Sequence, residues 1–283
     1  MMSFSLQFVL VLIGTFMIAL VLTPLVRLFS FKIDAVDYPN ARRINTKPMP
    51  SAGGLSIVIA FSIATLVFIP MLTFTATPIK SYLSYTLPVV GAGWIIALTG
   101  LIDDVKELSA KKKMIGILLA ASLVWFLTDF RLNDFKIPFG GPLLHFEPWL
   151  SYLLTVIWIV SITNAVNLID GLDGLVSGVS IISLVTMGIV SYFFLPVPNL
   201  FLTMTIFVLV ASIAGFFPFN YHPAILYLGD TGALFIGFMI SVLSLQGLKN
   251  STAVAVVTPM IILGVPITDT FLAIIRRTLS GQK

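Results

Sequence analysis

The stretch NAVNLIDGLDGL, residues 164–175, sets two carboxylates, Asp170 and Asp173, and two carboxamides, Asn164 and Asn167, inside an otherwise apolar run. A charged side chain at bilayer depth costs ~2.5–3.5 kcal/mol on insertion scales, so acids in such surroundings are functional-site candidates. The spacing of Asp170 and Asp173 would put them on one face of a helix. Gly171 and Gly174 argue instead for a break or tight turn that aims both acids into a cavity. An ordinary Asp/Gly turn is the plain alternative, and it leaves the two asparagines without a reason. The ligand spacing of a calcium-binding EF-hand is absent.

Further acids stand at the borders of other apolar runs. Asp103 and Asp104 close one of them in GLIDDVKEL. Two adjacent carboxylates repel by several kcal/mol at an effective dielectric of about 20, so a cation or a proton is expected between or beside them. The plain alternative is a polar helix end leaving the membrane. Asp230, in YLGDTGALFIG, opens a helix where Asp or Thr would serve as a cap. The same carboxylate suits a hard cation, magnesium first, since that ion commonly takes one or two carboxylates together with phosphate oxygens. Asp269 lies near the inner end of the last apolar run.

Basic residues are confined to short loops. Lys111, Lys112 and Lys113 read as a headgroup anchor, with one of them available to a substrate phosphate. DYPNARRINTKPMPSAGG, residues 37–54, is an orientation signal and, through Arg42 and Arg43, a candidate cradle for a diphosphate or lipid phosphate. His222, in NYHPA, is a lone histidine and carries little weight as a catalyst.

These groups need a scaffold, and composition defines it. Of 283 residues, 58% are hydrophobic and only 10% charged. A soluble domain carries about 25% charge, so the expected class is all-α, a polytopic bundle of transmembrane helices. Hydropathy places nine spans at about residues 4–29, 53–68, 83–102, 114–127, 149–169, 175–195, 199–217, 231–248 and 253–275. The fourth is expected to start within the lysine run. The first is too long for a signal-peptide core and lacks a cleavage site, so it reads as a span. Lys80, Arg131, Lys136 and Lys249 fall on one side, and the rest of the 16 Lys and Arg on the other. By the positive-inside rule the N-terminus is outside and the C-terminus cytoplasmic. That places Asp103, Asp104, Asp170, Asp173 and Asp230 at cytoplasmic ends.

With 0 cysteines, disulfides, thiolate metal sites and a cysteine nucleophile are excluded. A nucleic-acid partner would want the basic residues spread along a soluble face, and they are not. No internal repeat supports an inverted-repeat transporter. An ion-coupled transporter would want acids near mid-span, and an inactive membrane scaffold is a further alternative.

Taken in order, PNARRINTKPMPSAGG, GLIDDVKEL, NAVNLIDGLDGL, FNYHPAILYLGDTGALFIGF and GVPITDTFLAIIRR resemble one family. It is that of the polyprenyl-phosphate N-acetylhexosamine-1-phosphate transferases, nearest to the undecaprenyl-phosphate GlcNAc-1-phosphate transferases that begin wall teichoic acid or O-antigen synthesis. The resemblance implies transfer of GlcNAc-1-phosphate from UDP-GlcNAc to undecaprenyl phosphate, release of UMP, and dependence on magnesium, with manganese a substitute. It implies a multi-pass protein of the bacterial plasma membrane with a cytoplasmic active site, and a homodimer is compatible with it. By position, Asp103 and Asp104 match the family's paired aspartates and Asp230 its metal-binding aspartate, with Asp104 assisting. Asn167, Asp170 and Asp173 match its nucleotide-side motif, and Tyr227 stands where relatives place an aromatic residue against uracil. Asn164, Lys111, Lys113, Arg42 and Arg43 complete the expected substrate contacts. A phospho-MurNAc-pentapeptide transferase is the nearest alternative. Two departures are apparent: Asn45 stands where relatives usually carry a histidine, and relatives continue past the arginine pair into a histidine-rich loop and further spans. The expectation is one integral-membrane catalytic domain over 1–283 without that loop.

Overall fold

The computed structural model describes residues 4–39, 45, 47–72, 79–136, 141–193 and 200–249. Eight α-helices occupy them: α1 (Phe4–Lys32), α2 (Gly54–Ile63), α3 (Ile79–Lys106), α4 (Ala110–Leu127), α5 (Pro148–Leu168), α6 (Leu175–Phe193), α7 (Leu200–Asn220) and α8 (Gly229–Lys249). A wider π turn, Ala64–Phe68, continues α2. The eight helices match the first eight expected spans. The ninth, with Asp269, Arg276 and Arg277, lies outside the described residues. Five helices, α1, α3, α5, α6 and α7, are long and apolar enough to cross a bilayer, whereas Gly54–Phe68 and Gly229–Leu245 are shorter apolar helices. As expected, α4 starts at Ala110, so the lysine run forms its first turn.

The all-α expectation is corrected in one detail: two small antiparallel pairs cross the loops. β1 (Val36–Asp37) pairs with β2 (Met49–Pro50), with Val36 opposite Pro50. β3 (Asp134–Lys136) pairs with β4 (Leu143–His145), with Asp134 opposite His145. Backbone groups in short loops need partners as much as those in helices do, and these ladders supply them.

The bundle is built around α8. Residues 231–245 of that helix are buried without interruption, as expected for a helix that is apolar on every side. It packs against α2, α3, α5, α6 and α7. Between membrane helices, close approach needs small residues, and Gly54 faces Gly232 so tightly that a Cβ on Gly54 would lie 2.1 Å from the Gly232 Cα. Trp158 of α5 donates its indole N–H to the Ser241 carbonyl of α8 at 3.1 Å. Hydroxyls inside helices are satisfied locally: Thr15, Thr23 and Thr65 each donate to the carbonyl four residues earlier, the bond open to them where water is scarce. Around this core, α1 exposes Val21, Leu25 and Leu28, α4 exposes Leu119 and Phe126, and α6 exposes Ile182 and Phe193. Such large apolar surface fits lipid contact.

Because the helices alternate in direction, the C-terminal ends of α1, α3, α5 and α7 meet the N-terminal ends of α2, α4, α6 and α8. Asp103, Asp104, Asp170, Asp173 and Asp230 lie at this end.

Candidate active site

An open cleft of about 1550 Å³ occupies that end. Its walls come from the end of α1, the β1–β2 loop, the end of α3, the α5–α6 turn and the segment leading into α8. Asp103, Asp104, Asn167, Asp170, Asp173, Tyr227 and Asp230 all line it, so segments far apart in sequence are brought to one place.

The start of α8 is set by backbone contacts that only glycine tolerates. Gly229 has φ +71°, and a Cβ there would lie 1.5 Å from the Ser51 carbonyl oxygen. Ser51 itself donates its N–H to Ala35, Tyr227 donates to Pro50, and Gly53 and Gly54 donate to the carbonyls of Tyr227 and Leu228. Residues 49–54 are thereby sandwiched between β1 and the entry to α8.

Asp104 completes this junction. Its Oδ1 accepts the Asp230 N–H at 2.8 Å, and its Oδ2 accepts the Thr231 N–H at 3.0 Å and the Thr231 hydroxyl at 2.5 Å. The cap of α8 is therefore a carboxylate from α3, not Asp230 or Thr231 as the local sequence suggests. A carboxylate suits the unpaired N–H groups and positive dipole end of a helix.

Asp230, the second residue of that helix, is aimed at a cation. Lys113 Nζ sits 2.6 Å from Asp230 Oδ2 and 2.5 Å from Asp103 Oδ2, and Asn167 donates its amide to Asp230 Oδ1. Asp103 is 8% exposed, and the Leu108 N–H closes on its other oxygen. The cation expected beside the pair is the Lys113 ammonium, which meets Asp103, while Asp104 is served by the backbone and hydroxyl donors of α8. Of the three lysines, Lys113 enters the acid cluster, whereas Lys111 is exposed.

Asp170 and Asp173 leave α5 in the expected turn, residues 169–174, with Gly174 at φ +70°. Asp170 has no side-chain hydrogen bond or ion pair among the described residues. Burial first, then the negative charges of Asp230 and Asp37, pushes its carboxyl up to about 8. Asp173 is held across the cleft by the 221–228 loop: the His222 ring Nδ1 lies 2.9 Å from its Oδ2, and the Ala224 N–H donates to the same oxygen at 3.0 Å. Sequence reasoning gave His222 little weight, and a lone histidine beside a proline offers no signal of this pairing. Asn220, buried below, accepts from Ser177 and donates to the Leu226 carbonyl, anchoring the same loop.

Asn164, like Lys111, is not brought in. Asn164 donates back to the Val160 carbonyl within α5 at 2.8 Å and is not among the residues lining the cleft. Arg42 and Arg43 lie outside the described residues. Asn45 lines the cleft, and its amide donates to the carbonyls of Asp37 and Lys47.

Among the described residues, no three acids or histidines converge as a ready-made metal centre. The donor set nevertheless fits magnesium, which takes few protein ligands and completes its shell with water and phosphate oxygens. Asp170 is a carboxylate without a counter-charge, directed into a negative field from Asp230. The oxygens of Asp104 are engaged by α8 and those of Asp230 by Lys113 and Asn167, so Asp170 is the most open of the three.

The fold and the cleft define a polytopic helical membrane protein with an acid-lined site at its helix ends, one lysine bridging two of the acids. The chain belongs to glycosyl transferase family 4, whose model matches residues 86–248. It is 42% identical over 278 residues to a probable undecaprenyl-phosphate N-acetylglucosaminyl 1-phosphate transferase of Bacillus subtilis, covering 98% of this chain and 73% of that protein. It is 31% identical to a decaprenyl-phosphate N-acetylglucosaminephosphotransferase of Mycolicibacterium smegmatis, covering 91% and 67%. It is 33% identical to a phospho-N-acetylmuramoyl-pentapeptide-transferase of Staphylococcus saprophyticus, covering 84% and 74%.

Proposed function

We propose that this protein transfers GlcNAc-1-phosphate from UDP-GlcNAc to undecaprenyl phosphate, giving undecaprenyl-diphosphate-GlcNAc and UMP, with its cleft on the cytoplasmic side of a bacterial plasma membrane. The product would start a cell-wall polymer of teichoic acid or O-antigen type. The observation that carries the reading is the convergence of Asp103, Lys113, Asn167, Asp170 and Asp230 at one end of the bundle, in a chain 42% identical to a protein named for that transfer.

In this mechanism the lipid phosphate attacks the sugar-linked phosphorus and UMP departs. Lys113, held between two acids, supplies positive charge beside the phosphates. Asp103 accepts a proton where the acceptor phosphate carries one. A phosphate monoester has a second pKa of about 6 and is largely ionised at neutral pH, so orientation in the cleft contributes more than base catalysis. Asp230 and Asp170 would hold magnesium, which when bound neutralises the diphosphate and the departing nucleotide. Tyr227 offers a ring to the nucleobase.

The test is UMP release from UDP-GlcNAc with added undecaprenyl phosphate and magnesium. The unaltered chain is expected to turn over, and Asp230→Asn to lose activity by about 100-fold or more, the scale of removing one charge-stabilising group. Unchanged turnover in Asp230→Asn would remove its assignment. Running UDP-MurNAc-pentapeptide in parallel decides the donor, which the staphylococcal relative makes the one alternative to compare.

A further inference from the structure

His222 and Asp173 join two loops 49 positions apart, and the bond pattern on Asp173 is lopsided. The His222 ring nitrogen and the Ala224 N–H both fall on Oδ2, at 2.9 and 3.0 Å. Oδ1 has no donor among the described residues, while Asp173 lines the cleft with its side chain 22% exposed. An acceptor oxygen with open lone pairs, on a carboxylate whose other oxygen is pinned by two donors, is a fixed receiver for a donor group on a ligand.

We propose that His222 is a positioning residue for the sugar nucleotide. With Nδ1 as its donor, it holds Asp173 in the rotamer that turns Oδ1 to the cleft. There Oδ1 receives an N–H or O–H of the nucleoside diphosphate sugar. Without the ring, the Ala224 N–H alone leaves the carboxylate free to rotate, and the donor group of the ligand meets a disordered acceptor. The His222 side chain is 80% exposed, so its removal opens no cavity in the core. This inference rests on the transferase reading for the identity of the ligand, and not for the Asp173 geometry.

The experiment exploits the difference between the two ring nitrogens. An asparagine amide can stand where Nδ1 stands, whereas a glutamine amide reaches the place of Nε2. In the full chain in detergent, UDP-GlcNAc affinity is measured by calorimetry without lipid acceptor, and KM values for UDP-GlcNAc and for undecaprenyl phosphate are measured separately. His222→Ala is expected to weaken UDP-GlcNAc binding and raise its KM by about 5–20-fold, less than the full loss of a hydrogen bond to a charged group because Asp173 itself remains. The KM for the lipid phosphate should stay within about twofold. His222→Asn is expected to restore most of the affinity and His222→Gln little of it. Equal affinity in all three variants and the unaltered chain would overturn the proposal, as would a lipid KM that moves by the same factor as the donor KM. If the chain binds UDP-GlcNAc with this pattern but transfers nothing, the transferase reading fails and the positioning role stands. If the unaltered chain does not bind UDP-GlcNAc, both fall.

Discussion

Asp170 lines the cleft with no side-chain hydrogen bond or ion pair among the described residues. Its carboxyl is pushed up to about 8 by burial and by Asp230 and Asp37, so at neutral pH it is mostly protonated when no cation is present. A divalent ion binds the carboxylate form and must displace that proton. The sign follows: below about 8, lowering the pH by one unit weakens apparent magnesium affinity by about tenfold, and above it the affinity levels off. Calorimetric titration of nucleotide-free protein with magnesium, in buffers of different ionisation enthalpy, should show about one proton released per ion near neutrality. Asp170→Asn should abolish both the release and the pH dependence. Magnesium affinity that is flat from about pH 6 to 8 would mean Asp170 is no ligand. The same shift bears on folding. A carboxyl whose folded value lies above its unfolded value of 3.8 contributes stability that is full below that value. The contribution is lost as pH rises through about 8, so the metal-free protein should melt at lower temperature at the alkaline end of that window.

At the scale of elements, the junction between α3, the 49–54 segment and the start of α8 aims Asp230. Asp104 acts there as a helix cap, which separates it from its neighbour Asp103. Asp104→Asn exchanges one acceptor oxygen for a donor facing the N–H groups of α8. It is expected to lower the thermal midpoint in detergent, with a cost of about 1–2 kcal/mol, the usual worth of a cap. A residue used only in chemistry would leave stability unchanged or raise it, so an undiminished midpoint would refute the capping role. Gly229→Ala is expected to be worse. A Cβ would be pressed against the Ser51 carbonyl at 1.5 Å in a backbone region with φ +71°, and the left-handed conformation alone adds about 1–2 kcal/mol. The midpoint should fall, and UMP release should fall with it because Asp230 no longer meets Lys113. None of this was legible from local sequence. Asp230 and Thr231 read as a self-contained helix start, since a cap donated from 126 positions away leaves no local pattern. The turn at Gly171 and Gly174, by contrast, was legible, because glycine and two acids in an apolar run allow few other structures.

For the whole molecule, apolar runs and their interruptions were enough to place eight helices, since a bilayer demands long apolar helices whatever their partners. What the runs did not reveal is rank. The burial of α8 on all sides and the peripheral place of α1 depend on which helices meet, and hydropathy does not rank them, since α1 is the more apolar of the two. The same limit explains why Lys113 could not be told from Lys111 and Lys112, for the choice is made by how the first turn of α4 packs against α3. Orientation is the remaining property of the whole, and the cleft and the lysine-rich loops share one end of the bundle. That end is expected to face the cytoplasm. The chain has 0 cysteines, so single introduced thiols report without background. Ser109→Cys, exposed beside the cleft at the start of α4, should resist a membrane-impermeant maleimide in intact cells and react after permeabilisation. Glu147→Cys, exposed at the opposite end before α5, should react in intact cells. The reversed pattern would put the acids outside, away from any cytoplasmic sugar nucleotide, and the proposed transfer would then lack its donor.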